Sequence, residues 1–333
     1  MYILRSIWGL AALIGSVGVA SAADISLGLP LRCEMNQECF IQQYVDVDPG
    51  PGAREHTCGP LTYDGHKGTD FRLRDLQMMR DGVEVVASAG GTVLGIRDGM
   101  QDIDVRELGG SAALKGRDCG NGVLLDHGDG WQTQYCHLRR GSVSVRKGQT
   151  VAKGDVLGLV GMSGAAAFPH VHLSVRRGKQ VVDPYRGADA AAEACGASFQ
   201  DMWDQDVREA VAYRPGGIIT IGLYGDTDLD SGKIREGRAH LGEISRNSPA
   251  LLGWVSIYGI RQGDVVRTRI NGPDGAVFFE NTDKPHPKNQ AQSFKWSGKR
   301  NRGRLTAGTY QLLVELIRDG KVIDAWQTSS IVR

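Results

Sequence analysis

No two of the six cysteines (Cys33, Cys39, Cys58, Cys119, Cys136 and Cys195) stand in a CxxC spacing, and none lies beyond Cys195. That disfavours a thiolate metal site, whose ligands usually come in such close pairs. Net charge is almost absent, at +1 over 333 residues. With no excess of cations the chain lacks the electrostatic footprint of a nucleic-acid binder. Aromatic residues are scarce, at 7%, against 46 glycines. This balance points to many turns and short strands. After residue 22 no apolar run approaches the roughly 20 residues that a spanning helix needs.

What is present is the composition of a globular protein, with 41% hydrophobic and 23% charged residues. Residues 1–22 carry the marks of an export signal: Arg5, a short apolar run from Leu10 to Val19, and a small-x-small site at Ala20-Ser21-Ala22. Its removal takes Arg5 away and leaves 38 Lys+Arg against 38 Asp+Glu, with no stable membrane span. An even number of cysteines in an exported chain predicts disulfides, and six cysteines allow about 15 pairings. Cys33 with Cys39 and Cys119 with Cys136 are the favoured pairs. With no cysteine beside the cleavage site and no wall-sorting tail, periplasmic residence is expected, with secretion as the alternative.

Beyond the signal, residues 23–57 read as an irregular N-terminal arm, broken by Pro30, Pro49 and Pro51, that wraps the neighbouring domain. Residues 58–187 read as all-β. Val83–Ala87, Gly91–Leu94, Gly122–His127, Gln132–Leu138 and Val171–Val175 are strand-like runs with glycine-containing turns between them. Residues 95–120 interrupt this pattern as a long loop. Residues 188–213 are Ala-rich and are expected to form a helical linker. Strands resume over 214–333, ending in a hairpin turned at Asp319-Gly320, and predict a second, smaller β-sandwich. The fold class expected is mainly β, with antiparallel sheets in both domains.

Only eight histidines occur, and five of them lie between His66 and His172. His66 and Asp70, four apart in HKGTD, can turn an imidazole and a carboxylate towards one point, and both groups bind zinc. His170 and His172 are i and i+2 on a strand, so they share a face. His137 lies in Tyr135-Cys136-His137-Leu138, where strict alternation places Tyr135 and His137 on one face.

Together these segments resemble the lysostaphin-like M23 zinc endopeptidases, the LytM domain family. The matching text is HKGTD at 66–70, GNGVLLDHGDGWQTQYCHL at 120–138, VRKGQTVAKGDVLGLVGMSG at 145–164 and PHVHLSV at 169–175. The resemblance covers about residues 58–187. It implies one zinc per domain held by His66, Asp70 and His172, with His137 and His170 as catalytic histidines beside it. It implies no ligand role for His127. The expected activity is hydrolysis of peptide bonds in bacterial peptidoglycan, specifically the stem-peptide cross-links. Two departures stand out: the loop at 95–120 is longer than the family's usual connection, and the cysteines are not general to the family.

Three protein ligands leave one position of a tetrahedral zinc open, the pattern of a catalytic site. One of His137 and His170 is then expected to take a proton from water while the other stabilises the oxyanion. Asp64, Asp126 and Asp183 are candidates for orienting the ligands. One alternative is a non-catalytic LytM-type protein that activates another wall hydrolase. Another is a structural or carbohydrate-binding β protein with an incidental zinc site. For the C-terminal part, general pattern suggests an immunoglobulin-like or fibronectin-like sandwich. There Trp254, Tyr258, Trp296 and Trp326 are expected as core aromatics. Lys295, Lys299, Arg300, Arg302 and Arg304 are expected in a solvated basic loop. Nothing in the sequence sets an oligomeric state.

Overall fold

The computed structural model describes residues 25–188, 195–196 and 200–333. The expected export signal and part of the linker lie outside the described residues. Among those described, no helix is long and apolar enough to cross a membrane.

The first half is built on strands β1 (Cys39–Gln43), β2 (Thr69–Leu73), β3 (Glu84–Val86), β4 (Gly91–Arg97), β5 (Asn121–Gly128), β6 (Trp131–Leu138), β7 (Thr150–Val151), β8 (Val156–Leu159), β9 (His170–Arg177) and β10 (Gln180–Val182), with helix α1 (Leu76–Asp81) after β2. Eight of these strands form one sheet in the order β1-β2-β9-β6-β5-β4-β7, with β10 also paired to β9. Its pairings are all antiparallel. The other two, β3 and β8, pair as a separate antiparallel ribbon. Phe71 and Leu73 of β2, Leu125 of β5, Tyr135 of β6 and Val171 and Leu173 of β9 are fully buried in one core, which Val85 of β3 and Leu157 of β8 join.

Strand β2 shows how the sheet creates a site. Alternation sends Phe71 and Leu73 into the core and places Asp70 and Arg72 on the opposite face, yet all five residues of the strand are buried. A strand that buries a carboxylate and a guanidinium must supply partners for both, or lose several kcal/mol per charge.

The N-terminal arm wraps the domain, but it is more ordered than its prolines imply. It contributes the edge strand β1, and Leu27 and Leu31 bury themselves through bridges to Trp203 and Val85. All six cysteines pair: Cys33–Cys39 and Cys119–Cys136 as favoured, and Cys58–Cys195. Most of the Ala-rich stretch of the expected helical linker lies outside the described residues; the expectation is corrected only for the part that is described. Over its described residues, 188, 195–196 and 200–213, the chain makes an isolated bridge at Trp203 and turns over 205–211, and no α-helix. Trp203 explains this, because its ring is drawn into the core and its backbone bridges Leu27.

The second half holds β11 (Gly217–Tyr224), α2 (Ser231–Arg235), β12 (Glu243–Ile244), β13 (Ala250–Ile260), β14 (Val265–Asn271), β15 (Val277–Thr282), β16 (Gln290–Arg300), β17 (Gly308–Arg318) and β18 (Lys321–Val332). They form a sheet β11-β13-β16 and a sheet β12-β18-β17-β14-β15, which share one core including Val255, Ile257, Ile270 and Leu312. Strand β16 corrects the expected basic loop: Lys295, Lys299 and Arg300 lie on a strand paired with β13. Its polar sequence hides it, since one face is solvated. Trp254 and Trp296 sit opposite each other there, and only Trp254 is buried. Tyr258 is buried and Trp326 partly so, both against Phe40 of β1.

His56 anchors the arm by stacking flat on Tyr185 at 4.5 Å, with Tyr44 and Tyr213 edge-on. Burial pushes its pKa down to about 4, against the pull of Glu55. Between pH 6.5 and 4 the unfolded chain therefore takes a proton that the folded one refuses, and stability falls as pH drops through that window. His56→Phe keeps the stack and removes this proton uptake. Relative to the parent, its melting temperature at about pH 4.5 should fall less from the value at about pH 7.5, by about 2–4 °C. Equal falls in both proteins would assign the acid sensitivity elsewhere.

Candidate metal centre

His66 follows a turn at Gly65, whose φ of 73° suits glycine, and enters β2 four residues before Asp70. Asp70 pairs with His172 across β2 and β9, and Arg72 with His170. Opposed residues in antiparallel strands share a face, so one surface carries Asp70, His170 and His172 together.

Three ligand atoms converge there. His66 Nε2 lies 3.2 Å from Asp70 Oδ1 and 3.1 Å from His172 Nδ1, and His172 Nδ1 lies 2.8 Å from Asp70 Oδ1. Ligands about 2.0–2.1 Å from a tetrahedral zinc are about 3.3 Å apart, so the triangle is close to the size such an ion requires.

The tautomers fit as well. His66 Nδ1 is 2.6 Å from the Tyr44 carbonyl, which can only accept, so the proton is on Nδ1 and Nε2 keeps its lone pair. Ser174 Oγ donates to the Lys67 carbonyl (2.6 Å) and so accepts from His172 Nε2 at 3.1 Å, leaving the lone pair on Nδ1. Two imidazole lone pairs and a carboxylate oxygen thus face one point, and a cation there would satisfy all three. Burial alone would raise the Asp70 pKa, but the surrounding His66 and His170 hold it well below the usual range, so the carboxylate stays ionised. For His66 the opposing pull of burial is overcome by Asp70, and its pKa is raised.

His137 and His170 complete the face. His170 Nδ1 donates to the Phe168 carbonyl at 2.9 Å and His137 Nδ1 to the Ser163 carbonyl at 2.7 Å. Each therefore offers a bare Nε2, and their ring centroids are 4.6 Å apart. Burial lowers the pKa of both, and in His137 the neighbouring His170 and His172 lower it further, which favours the neutral form of each ring.

His137 reaches this face by an irregularity. Tyr135 opposes Leu173 on the core side, with its hydroxyl accepting from the Ser88 amide at 2.7 Å. The expected shared face of Tyr135 and His137 is therefore corrected. The β5–β6 register slips between Asn121 and Gly122, and His137 adopts φ of 65°. Such a bulge re-aims a side chain. Left-handed backbone outside glycine is uncommon and must be held by its surroundings. The His137 amide donates to the Cys119 carbonyl at 2.8 Å, and the Cys119–Cys136 disulfide ties the same two segments.

His127 is placed apart, between the Gly90 carbonyl (2.7 Å) and Thr133 Oγ1 (2.8 Å). Among the described residues neither Asp64, Asp126 nor Asp183 bonds a ligand histidine, which corrects the expected orienting role. The groups that do so are the Tyr44 carbonyl and Ser174 Oγ. A backbone carbonyl leaves no mark in a sequence; Ser174, two residues after His172, was the available signal. Tyr63 was also missed: its ring, 52% exposed, stands 4.5 Å from that of His66.

Gly68 packs against the same cluster. A Cβ there would lie 2.5 Å from His172 Nε2 and 2.7 Å from the Leu173 carbonyl. Gly68→Ala must push the His172 ring off Ser174. Zinc affinity, measured against a competing chelator, should fall about 10–100-fold, the range for lost outer support of a ligand. An unchanged affinity would mean that the ring has room to move.

Residues 64–184 match Peptidase family M23. The chain is 32% identical over 123 residues to the cell division protein DipM of Caulobacter vibrioides, covering 37% of this chain and 19% of that protein. It is 32% identical over 117 residues to the peptidoglycan DD-endopeptidase ShyA of Vibrio cholerae, covering 35% of this chain and 21% of that protein. The chain thus spans about a fifth of the length of these relatives. A solved putative peptidase M23 from Pseudomonas aeruginosa is 28% identical, with a TM-score of 0.27 over 48% of this chain and 52% of that one.

Proposed function

We propose that this chain, whose residues 64–184 form an M23 family domain, is a zinc-dependent endopeptidase that hydrolyses stem-peptide cross-links of peptidoglycan. The observation that carries the reading is the convergence of His66 Nε2, Asp70 Oδ1 and His172 Nδ1, with the bare Nε2 atoms of His137 and His170 on the same face. His66, Asp70 and His172 are the metal ligands in this proposal, and His137 and His170 the catalytic histidines.

Zinc held there would supply Lewis acidity, polarising a carbonyl and making water a readier proton donor. The protein's own part is to hold two neutral imidazoles ready. One Nε2 accepts the proton of the attacking water, and once protonated that ring can donate it to the leaving amine. The other ring, whose Nδ1 proton is committed to a carbonyl, donates to the oxyanion only after its Nε2 has taken a proton from solvent, as an imidazolium. Burial keeps bulk water from competing for these bonds.

Substrate and location rest on further support. The peptidoglycan substrate follows the activity for which the ShyA relative is named. Three disulfides among the described residues suit an oxidising compartment, in keeping with export to the periplasm. We read the parts as a peptidase domain over 58–187 and a β-sandwich, immunoglobulin-like in its pairing of two sheets, over 214–333.

The test is to incubate the full mature chain with purified peptidoglycan and identify released fragments by mass spectrometry, with and without chelator. Cross-link cleavage that chelator stops and zinc restores is expected. A zinc-loaded protein that releases nothing, yet raises the activity of another wall hydrolase, would replace the enzyme reading with an activator.

A further inference from the structure

Beside the site lies a cavity of about 210 Å³ that the proposed chemistry does not use. It is walled by three separate parts of the chain: Arg72 of β2 with Phe168 just before β9, Asp104 and Glu107 of the long loop, and Arg235 and Phe294 of the C-terminal unit. Phe168 stacks on His170 at 4.5 Å and carries the Arg72 guanidinium 4.9 Å from its centroid. One ring therefore separates the cavity from a catalytic imidazole. Across it, Arg235 sits 5.0 Å over Phe294 in the same manner.

The cations of this cavity are not balanced pairwise. Of the carboxylates that line it, Asp75 is paired with Arg74 at 3.0 Å, while Asp104 and Glu236 are held from outside the lining by Arg106 and, at 2.8 Å, Arg80. Asp75 is further engaged in capping α1 through the Met78 amide. Glu107 is exposed at the rim. That leaves Arg72 and Arg235, neither of which has an ion pair among the described residues. Arg72 donates only to neutral oxygens, the Leu73 carbonyl at 3.1 Å and Gln42 Oε1, although it is 2% exposed. Asp75 and Asp104 act on these two guanidiniums only from a distance, so each fork still has room for a carboxylate in direct contact. Their planar forks match a carboxylate, which each can bind in bidentate fashion.

We propose that this cavity is a carboxylate subsite, completed by Arg235 of the C-terminal unit, that takes a free carboxylate of the peptide being cut. This rests on the peptidase reading for its occupant. A volume of about 210 Å³ is below the range of drug-sized pockets and suits one short acidic side chain or a chain end. The C-terminal unit then acts on substrate choice directly, and the long loop forms the third wall.

Binding separates this idea from the activity. The probes are N-acetylglutamate and its neutral analogue N-acetylglutaminamide, titrated calorimetrically into the zinc-loaded full chain. The acid should bind at least about tenfold more tightly than the amide, and Arg235→Ala should abolish that preference without weakening the amide. Arg235→Lys, which keeps the charge and loses the fork, should retain part of it. A melting temperature like the parent's would show that the partly buried Arg235 is not holding the domains together. On a cross-linked peptide with a free carboxylate, Arg235→Ala should raise KM about tenfold with kcat nearly held. Equal binding of acid and amide by the parent, or a preference that survives in Arg235→Ala, overturns the subsite. The second outcome would assign the carboxylate to the metal. A parent that prefers the acid but cuts no peptidoglycan upholds the subsite and removes the peptidase reading.

Discussion

Zinc in purified His172→Ala should fall from about one ion per chain to less than about a tenth, and cross-link cleavage should fall with it. The substitution removes Nδ1, which lies 2.8 Å from Asp70 Oδ1 and 3.1 Å from His66 Nε2. Two donors remain, too few for a closed grip on a tetrahedral ion. The sheet should survive, because His172 is partly exposed and its neighbours Val171 and Leu173 carry the core contacts of β9. Thermal melting gives an independent readout. A ligand at about a thousand times its Kd adds about 4 kcal/mol to stability, so the parent should melt several degrees higher with zinc than without. His172→Ala should show no such rise. Full zinc occupancy in the variant would remove His172 from the ligand set.

Much of this site could be read from the residues because its logic is local. His170 and His172 share a face by strand alternation, and β9 has that form. His66 and Asp70 meet because a glycine turn precedes a strand entry, and both features are written in the sequence around HKGTD. The C-terminal hairpin was equally plain, with Asp319-Gly320 taking the positive φ values of 50° and 74° that a tight turn requires. The disulfides Cys33–Cys39 and Cys119–Cys136, separated by 6 and 17 residues, are favoured as a short loop and a link between neighbouring strands, but spacing alone does not choose among the pairings.

What stayed hidden depends on distant partners. The Tyr44 carbonyl that fixes the His66 tautomer lies 22 residues away and has no side-chain signature. The linker resembles a helix in composition, but Trp203 is worth more in the core than in a solvated helix. Strand β16 carries Lys295, Lys299 and Arg300 on a half-solvated surface, so its polarity reads as loop. The walls of the cavity beside His170 come from residues as far apart in the chain as Arg72 and Phe294, a juxtaposition that only the fold creates.

The bulge at His137 is the most consequential of these hidden features, and it underlies the second large effect. His137→Ala should keep zinc at about one ion per chain while kcat falls about 10²–10⁴-fold, the usual contribution of a positioned proton acceptor or donor. Zinc should stay because His137 Nδ1 is committed to the Ser163 carbonyl and the ring is no part of the ligand triangle. Alanine tolerates the left-handed φ of 65° no better than histidine, and the Cys119–Cys136 bond with the His137 amide to Cys119 continues to hold the backbone there. His137→Gly relieves the backbone and also removes the imidazole, so it should be as inactive as His137→Ala and no less stable. That pairing separates the ring's chemistry from the strain of the bulge. If His137→Gly turned over cross-linked peptide near the parent rate, the imidazole would have no part in the reaction, and proton transfer would fall to His170 alone.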